Sequence, residues 1–106
     1  MTKPEALAAL AALAQTHRLA AFRALVQAGP SGLTVGALRD TLGLAPATLT
    51  AHLNVLRHAG LVADTREGRA IRVRADFARM DALLAYLSEN CCGGLPCAPA
   101  AAPTRC

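Results

Sequence analysis

Aromatic residues are scarce in this sequence: it has no tryptophan, one tyrosine and two phenylalanines among 106 residues. Proteins that bind single-stranded nucleic acids stack bases on aromatic side chains, so this composition argues against that class. Long apolar runs are also missing, since none approaches the roughly 20 residues that span a bilayer. The Ala/Leu-rich N-terminal segment contains Gln15 and His17, which suit an amphipathic helix better than a signal peptide. We therefore expect a cytoplasmic protein with no membrane partner.

Cysteine is absent from the first 90 residues. The four cysteines all follow that point: Cys91, Cys92, Cys97 and Cys106. Disulfides that hold a small fold together would be distributed along the chain, which is not the case here. The clustering predicts a binding or reactive site in a C-terminal tail.

Negative charge is also in the minority, because 11 lysines and arginines outnumber seven acidic residues and give a net charge of +4. The arginines concentrate between Arg57 and Arg79. A local basic segment of this kind predicts a surface that faces a polyanion. With so few aromatic side chains, double-stranded DNA is the expected partner.

Five helices are predicted where apolar residues recur at a spacing of three and four between start and stop signals. The repeating positions are Leu7, Leu10 and Ala14 in the first helix and Leu19, Phe22 and Val26 in the second. The predicted helices cover 4–14, 16–28, a short segment between Thr34 and Gly43, 46–58, and 76–89. The chain is thus predicted to be mainly α-helical.

From Leu61 the apolar period changes from that of a helix to that of a strand. Apolar and polar residues alternate on both sides of Glu67-Gly68, a pair typical of a tight turn. This pattern predicts a two-stranded hairpin with Arg66 and Arg69 beside its tip.

The last predicted helix has an apolar stripe too wide for a solvated face. It consists of Phe77, Met80, Leu83, Leu84 and Leu87. The stripe predicts packing against a second subunit. Residues 1–90 are therefore assigned to a DNA-binding and dimerisation domain, and residues 91–106 to a flexible cysteine-rich tail.

Two short helices joined by a glycine turn and followed by a basic hairpin are typical of a winged helix-turn-helix domain. In the helix 46–58, Leu49, Leu53 and Leu56 are predicted to face the core. The residues left to reach DNA bases are Ala47, Thr48, Thr50, Ala51 and Asn54. His52 is predicted either to pack or to contact a phosphate, and Arg66 and Arg69 to meet phosphates or the minor groove. A helix pair used only for protein contacts remains an alternative.

The sequence resembles the ArsR/SmtB family of metal-responsive repressors over about residues 5–90. The resemblance is carried by Thr16–Leu19, Leu42–Leu44, Ala47–Val62 and Arg66–Arg69. It implies a winged-helix homodimer, paired through its first and last helices, that represses an operon until an inducer binds.

Two sensor sites common in that family are missing from the sequence. Thr34-Val35-Gly36 stands where arsenic-responsive members have Cys-Val-Cys, and no histidine follows His58 for a zinc site on the last helix. Soft thiolates select soft ions, so Cys91, Cys92 and Cys97 are the predicted ligands of As(III) or Sb(III). Some members of the family place a cysteine pair and a third cysteine in this region, which supports the assignment. A three-thiolate site leaves the role of Cys106 open.

Other interpretations of the cysteines are a zinc or other soft-metal site, thiol oxidation, or a tail with incidental thiols. A thiol-rich metal-storage protein that does not bind DNA is a further alternative, although it would not need Arg66 and Arg69. No nucleophile, base and orienting acid come together in the sequence, so neither an enzyme nor an organic cofactor is expected.

Overall fold

The computed structural model describes residues 1–94. This part of the chain forms five α-helices and three short strands. In chain order they are α1 (Lys3–Leu13), α2 (Thr16–Ala28), β1 (Leu33–Thr34), α3 (Val35–Leu42), α4 (Pro46–His58), β2 (Val62–Glu67), β3 (Ala70–Ala75) and α5 (Phe77–Ser88). A 3-10 turn, Cys91–Gly94, follows α5. None of the described helices is long and apolar enough to cross a membrane. The mainly helical fold with a small hairpin is confirmed.

The helix α1 begins at a reciprocal cap. The Thr2 hydroxyl accepts a hydrogen bond from the Glu5 backbone N–H, and the Thr2 backbone N–H donates to the Glu5 carboxylate at 2.8 Å. Arg79 of α5 also donates to this carboxylate at 3.0 Å. The hydrogen bonds that this carboxylate accepts lower the pKa of Glu5 to about 2, and the one from the Thr2 backbone has the largest effect. One carboxylate thus caps α1 and joins it to α5.

The core side of α1 consists of alanines. Ala6, Ala9 and Ala12 are buried, whereas Leu7 and Leu10 are 57% and 40% exposed. The predicted leucine face therefore exists but points away from the core of the single chain. Small side chains let α1 approach α2 and α4 closely, and apolar periodicity alone does not show which of two apolar faces is used.

The core sides of α2 and α5 also differ in part from the sequence pattern. The helix α2 has the predicted bounds, but its buried residues are Ala21, Phe22 and Leu25, and Leu19 of the repeating positions is 44% exposed. In α5 only Leu83 of the predicted stripe is buried. Phe77 and Met80 are half-buried against the core, while Leu84 and Leu87 are 44% and 56% exposed. An apolar surface of α1 and α5 is thus left uncovered by the described chain.

The sheet is antiparallel, with the strand order β1-β3-β2. The predicted two-stranded hairpin is confirmed as β2 and β3, and a third strand was not predicted: Leu33 pairs with Val73 and Thr34 with Arg72 at the far side of β3. The predicted hairpin tip was also displaced by one residue: Glu67 pairs with Ala70, so Gly68 and Arg69 form the turn. A two-residue strand has no periodicity of its own, and pairing with β3 defines it.

Gly32 sits where β1 approaches β3. Its φ is +64°, and a Cβ atom added there would lie 2.0 Å from the Val73 carbonyl oxygen. Gly43 has a similar φ of +66°, but a Cβ atom there would meet nothing within 4 Å. Substitutions at the two positions therefore distinguish the cost of backbone strain alone from the cost of strain combined with a steric clash.

We predict that Gly32→Ala destabilises the fold more than Gly43→Ala. Both variants carry the cost of a left-handed alanine, about 1–2 kcal/mol. Only Gly32→Ala must also push β3 aside, which adds about 1–3 kcal/mol as overpacking usually does. Urea unfolding of both variants measures the difference in the free energy of unfolding. Equal destabilisation would show that β1 and β3 are not held this closely.

Candidate nucleic-acid interface

The helices α3 and α4 are joined by a tight turn whose ends are fixed locally. The Thr34 hydroxyl caps α3 by accepting from the Ala37 N–H at 3.1 Å. Gly43 ends the helix in the left-handed conformation, and its N–H donates to the Arg39 carbonyl at 2.8 Å. Pro46 then starts α4, which is the predicted recognition helix with the predicted bounds.

The two sides of α4 differ as the sequence predicts. Leu49, Leu53 and Leu56 are buried in the core. The exposed side carries the predicted base-reading residues Ala47, Thr48, Thr50, Ala51 and Asn54. The Thr50 hydroxyl donates to the Pro46 carbonyl within the helix at 2.9 Å. The surface offers small methyl groups, hydroxyls and one amide, which are groups that contact base edges in a major groove.

His52 lies apart from this surface, on the side of α4 that faces α2. Its Nδ1 atom is 3.4 Å from Nη1 of Arg18, and its ring centroid is 5.6 Å from that of His17. Arg18 in turn donates from Nε to the Ala12 carbonyl at 2.7 Å. Burial, and then the charges of Arg18 and His17, lower the pKa of His52. This position suits the packing role, and a phosphate contact by His52 stays a prediction.

The hairpin of β2 and β3, here called the wing, carries Arg66 and Arg69 at its exposed end. Among the described residues, neither of these arginines takes part in an ion pair. Arg72, in contrast, donates to Glu67 at 2.6 Å, and Arg74 donates to the Thr65 hydroxyl. Arg66 and Arg69 are therefore the wing cations available to an outside anion.

A contact that the sequence analysis missed joins α4 to the wing. The Nε atom of Arg57 lies 2.8 Å from the Asp64 carboxylate of β2. From Nη1, the same guanidinium donates to the Asn54 Oδ1 atom at 2.8 Å. Asn54 and Arg57 are three positions apart on one helix, and this spacing could have suggested the hydrogen bond between them. Asp64 belongs to another element, so its part depends on the tertiary fold.

The described cysteines follow α5 directly. Asn90 and Cys92 have left-handed φ values of +55° and +57°. The Sγ atoms of Cys91 and Cys92 are 3.7 Å apart, and both residues are exposed. In residues 1–94, no three histidine, cysteine or acidic side chains come together as a metal site. The predicted ligand Cys97, and Cys106, lie outside the described residues.

Comparisons with known proteins agree with this geometry. The family model of a helix-turn-helix domain matches residues 13–65. An ArsR-like transcriptional regulator from Rhodococcus sp. RHA1 has a similar structure, with a TM-score of 0.71, 28% identity, and coverage of 80% of this chain and 77% of that one. NolR from Sinorhizobium fredii is 32% identical, with a TM-score of 0.64 and coverage of 81% of this chain and 83% of NolR.

A third similar structure is the homodimeric winged helix-turn-helix DNA-binding domain of Mb0332 from Mycobacterium bovis, a possible ArsR-family regulator. It is 26% identical, with a TM-score of 0.64 and coverage of 90% of this chain and 88% of that one. No curated protein sequence matches the chain.

Proposed function

The chain belongs to the ArsR family of winged helix-turn-helix transcriptional regulators, and we propose that it is a homodimeric repressor released from its operator by trivalent arsenic or antimony. The observation that carries its action on DNA is that one polypeptide presents both the exposed side of α4 and the exposed arginines Arg66 and Arg69 at the end of the wing. A helix of this kind enters the major groove, while a basic wing meets the flanking backbone or minor groove.

Dimerisation is supported by the uncovered apolar surface of α1 and α5. Leu7, Leu10, Leu84 and Leu87 are all 40% or more exposed in the single chain. A second copy would cover these leucines, and the similar domain from M. bovis is a homodimer. Two copies would present two α4 helices to successive major grooves of an imperfect palindrome.

The inducer is proposed from the chemistry of the tail. Two thiols 3.7 Å apart can bind one soft ion together, and Cys97 would complete the three thiolates that As(III) and Sb(III) prefer. Zinc is the rival ion, since Cys106 could supply the fourth ligand of its usual tetrahedral structural site. Oxidation of the pair to a disulfide is the other candidate, since adjacent exposed thiols are open to a peroxide.

The start of α5 suggests how ligation of the tail would reach the DNA-binding surface. The Asp76 backbone N–H donates to the Leu61 carbonyl at 2.8 Å, immediately before β2 of the wing. Arg79 joins α5 to α1 through Glu5. A pull on the end of α5 would therefore act on both the wing and the dimer helices. Inducer and DNA must weaken each other by the same factor.

The proposal is tested by a titration of fluorescent duplex DNA from the region upstream of the gene, repeated with arsenite, antimonite, zinc and hydrogen peroxide. We expect specific binding that arsenite and antimonite reverse. Release by zinc alone or by peroxide alone would identify that agent as the inducer in place of arsenic and antimony. The absence of specific binding would contradict the repressor function.

The wing arginines provide a separate test of the DNA interaction. Arg66→Ala and Arg69→Ala, alone and together, should weaken operator binding because fewer counterions are released from the DNA. The slope of log affinity against log salt should flatten by about 0.9 for each phosphate that the variant no longer neutralises. Lys3→Ala, on the first turn of α1, is the control for the change in net charge. A double variant with the slope of the wild type would exclude the wing from the interface.

A further inference from the structure

Asn54 is the residue with the most hydrogen-bonding capacity on the exposed side of α4, and its amide has a defined orientation. Arginine side chains only donate hydrogen bonds, so the atom that faces Arg57 must be the amide oxygen. It accepts from Nη1 at 2.8 Å. In the described part of the chain, the Asn54 amide nitrogen has no hydrogen-bond partner. Asn54 therefore has two N–H groups to offer outside the protein.

Arg57 is in turn held by Asp64. Their side chains are 28% and 34% exposed, and the Nε atom of Arg57 is 2.8 Å from Asp64. In β2, Asp64 pairs with the buried Val73, so its side chain lies on the face of the sheet that α4 packs against. The three residues form one chain of contacts, Asp64 to Arg57 to Asn54, from the wing to the recognition helix.

From this arrangement, and resting on the proposed function as a DNA-binding repressor, we infer that Asn54 reads guanine and that Asp64 and Arg57 are the residues that position it to do so. Asparagine usually pairs with adenine, accepting from the amino group through its oxygen and donating to N7 through its nitrogen. The Arg57 guanidinium occupies one lone pair of the amide oxygen and places its own N–H groups beside that oxygen. A base amino group would compete there with a cationic donor, so the amide nitrogen is the atom that Asn54 offers to a base edge. Its two N–H groups instead match the N7 and O6 acceptors of guanine.

Adenine fits this orientation poorly. Its N6 amino group is a donor and would face the amide N–H groups, so adenine forms one hydrogen bond fewer than guanine and two donors meet. Discrimination by one such pair is worth roughly tenfold in affinity between guanine and adenine at that position.

The test is a selection of binding sites from randomised duplex DNA by the full chain and its variants. Asn54→Ala identifies the operator position that Asn54 reads, because the base preference disappears there. Wild type should prefer guanine at this position. Asp64→Asn releases Arg57 and should move the preference at the same position towards adenine, while other positions stay unchanged.

Two further variants make the test specific. Asp40→Asn removes the same charge from α3, where the Asp40 side chain is 82% exposed, and should leave every base preference unchanged. Arg57→Lys keeps the positive charge but has no guanidinium fork to bridge Asp64 and Asn54, so it should reproduce the shift seen with Asp64→Asn. Circular dichroism of each variant reports whether the fold is retained.

The outcomes separate the inference from the proposed function. A wild-type preference for adenine at the Asn54 position would overturn the inference, and so would unchanged preferences in both Asp64→Asn and Arg57→Lys. If Asn54→Ala alters no position, Asn54 does not read a base. If wild type selects no sequence at all, the repressor function fails and the inference fails with it.

Discussion

Each of the variants Cys91→Ser, Cys92→Ser and Cys97→Ser is expected to raise the arsenite concentration needed for operator release by about 100-fold or more. Even the loss of a residue that only hydrogen-bonds a ligand lowers metal affinity about 10- to 100-fold. Each variant would leave only two of the three proposed thiolates. Binding of the uninduced protein to DNA should not change, because the described thiols follow α5 and belong neither to α4 nor to the wing. The measurement is release of a labelled operator duplex by arsenite.

Cys106→Ser is the matched control for these three variants. It removes one thiol from the same tail and should release DNA at the arsenite concentration of the wild type. If all three of the other variants still respond like the wild type, the inducer site lies elsewhere. If arsenite no longer releases DNA from Cys106→Ser, Cys91→Ser and Cys92→Ser but still releases it from Cys97→Ser, Cys106 is the third ligand.

The second large effect is expected at the uncovered leucines of α5. Leu84→Glu combined with Leu87→Glu would place two carboxylates in the surface that we propose pairs the subunits. Sedimentation should then find a monomer at micromolar concentration. Operator affinity should fall about 1,000-fold, towards the level of non-specific binding, because one subunit engages one half-site only.

Ala78→Glu is the control for the added charge on α5. Ala78 is exposed and, by helical spacing, lies on the other side of α5 from Leu84 and Leu87. It should leave both the dimer and DNA binding intact. A stable dimer in the double leucine variant, with its fold retained, would exclude this face of α5 from the subunit interface.

The parts of the fold that depend on local signals could be predicted well. The helix α4 has the predicted bounds because Pro46 can start a helix and Gly60 ends the segment. Its three buried leucines repeat at helical spacing, so its inner side was evident. Gly43 ends α3 in the predicted left-handed conformation.

Features that depend on packing between distant segments could not be predicted. The strand β1 exists because Leu33 meets Val73, and no local pattern marks two residues as a strand. Which side of α1 is buried was not evident either, because alanines and leucines both repeat along that helix. The pairing of Arg57 with Asp64 likewise needs the wing to fold back against α4. The three-thiolate site remains a prediction.

The position of the thiols after the last core residue bears on how such a regulator can evolve. Leu83 is the last buried side chain in the described part of the chain, and Cys91 comes eight positions later. Cys91 and Cys92 are exposed, so substitutions there leave the described hydrophobic core untouched. Selection for an inducer other than the proposed one is then not opposed at these two positions by a decrease in folding stability. The residues that we propose read DNA and the thiols that we propose bind the inducer can then diverge at independent rates, and one ancestral fold can give rise to descendants with unrelated inducers.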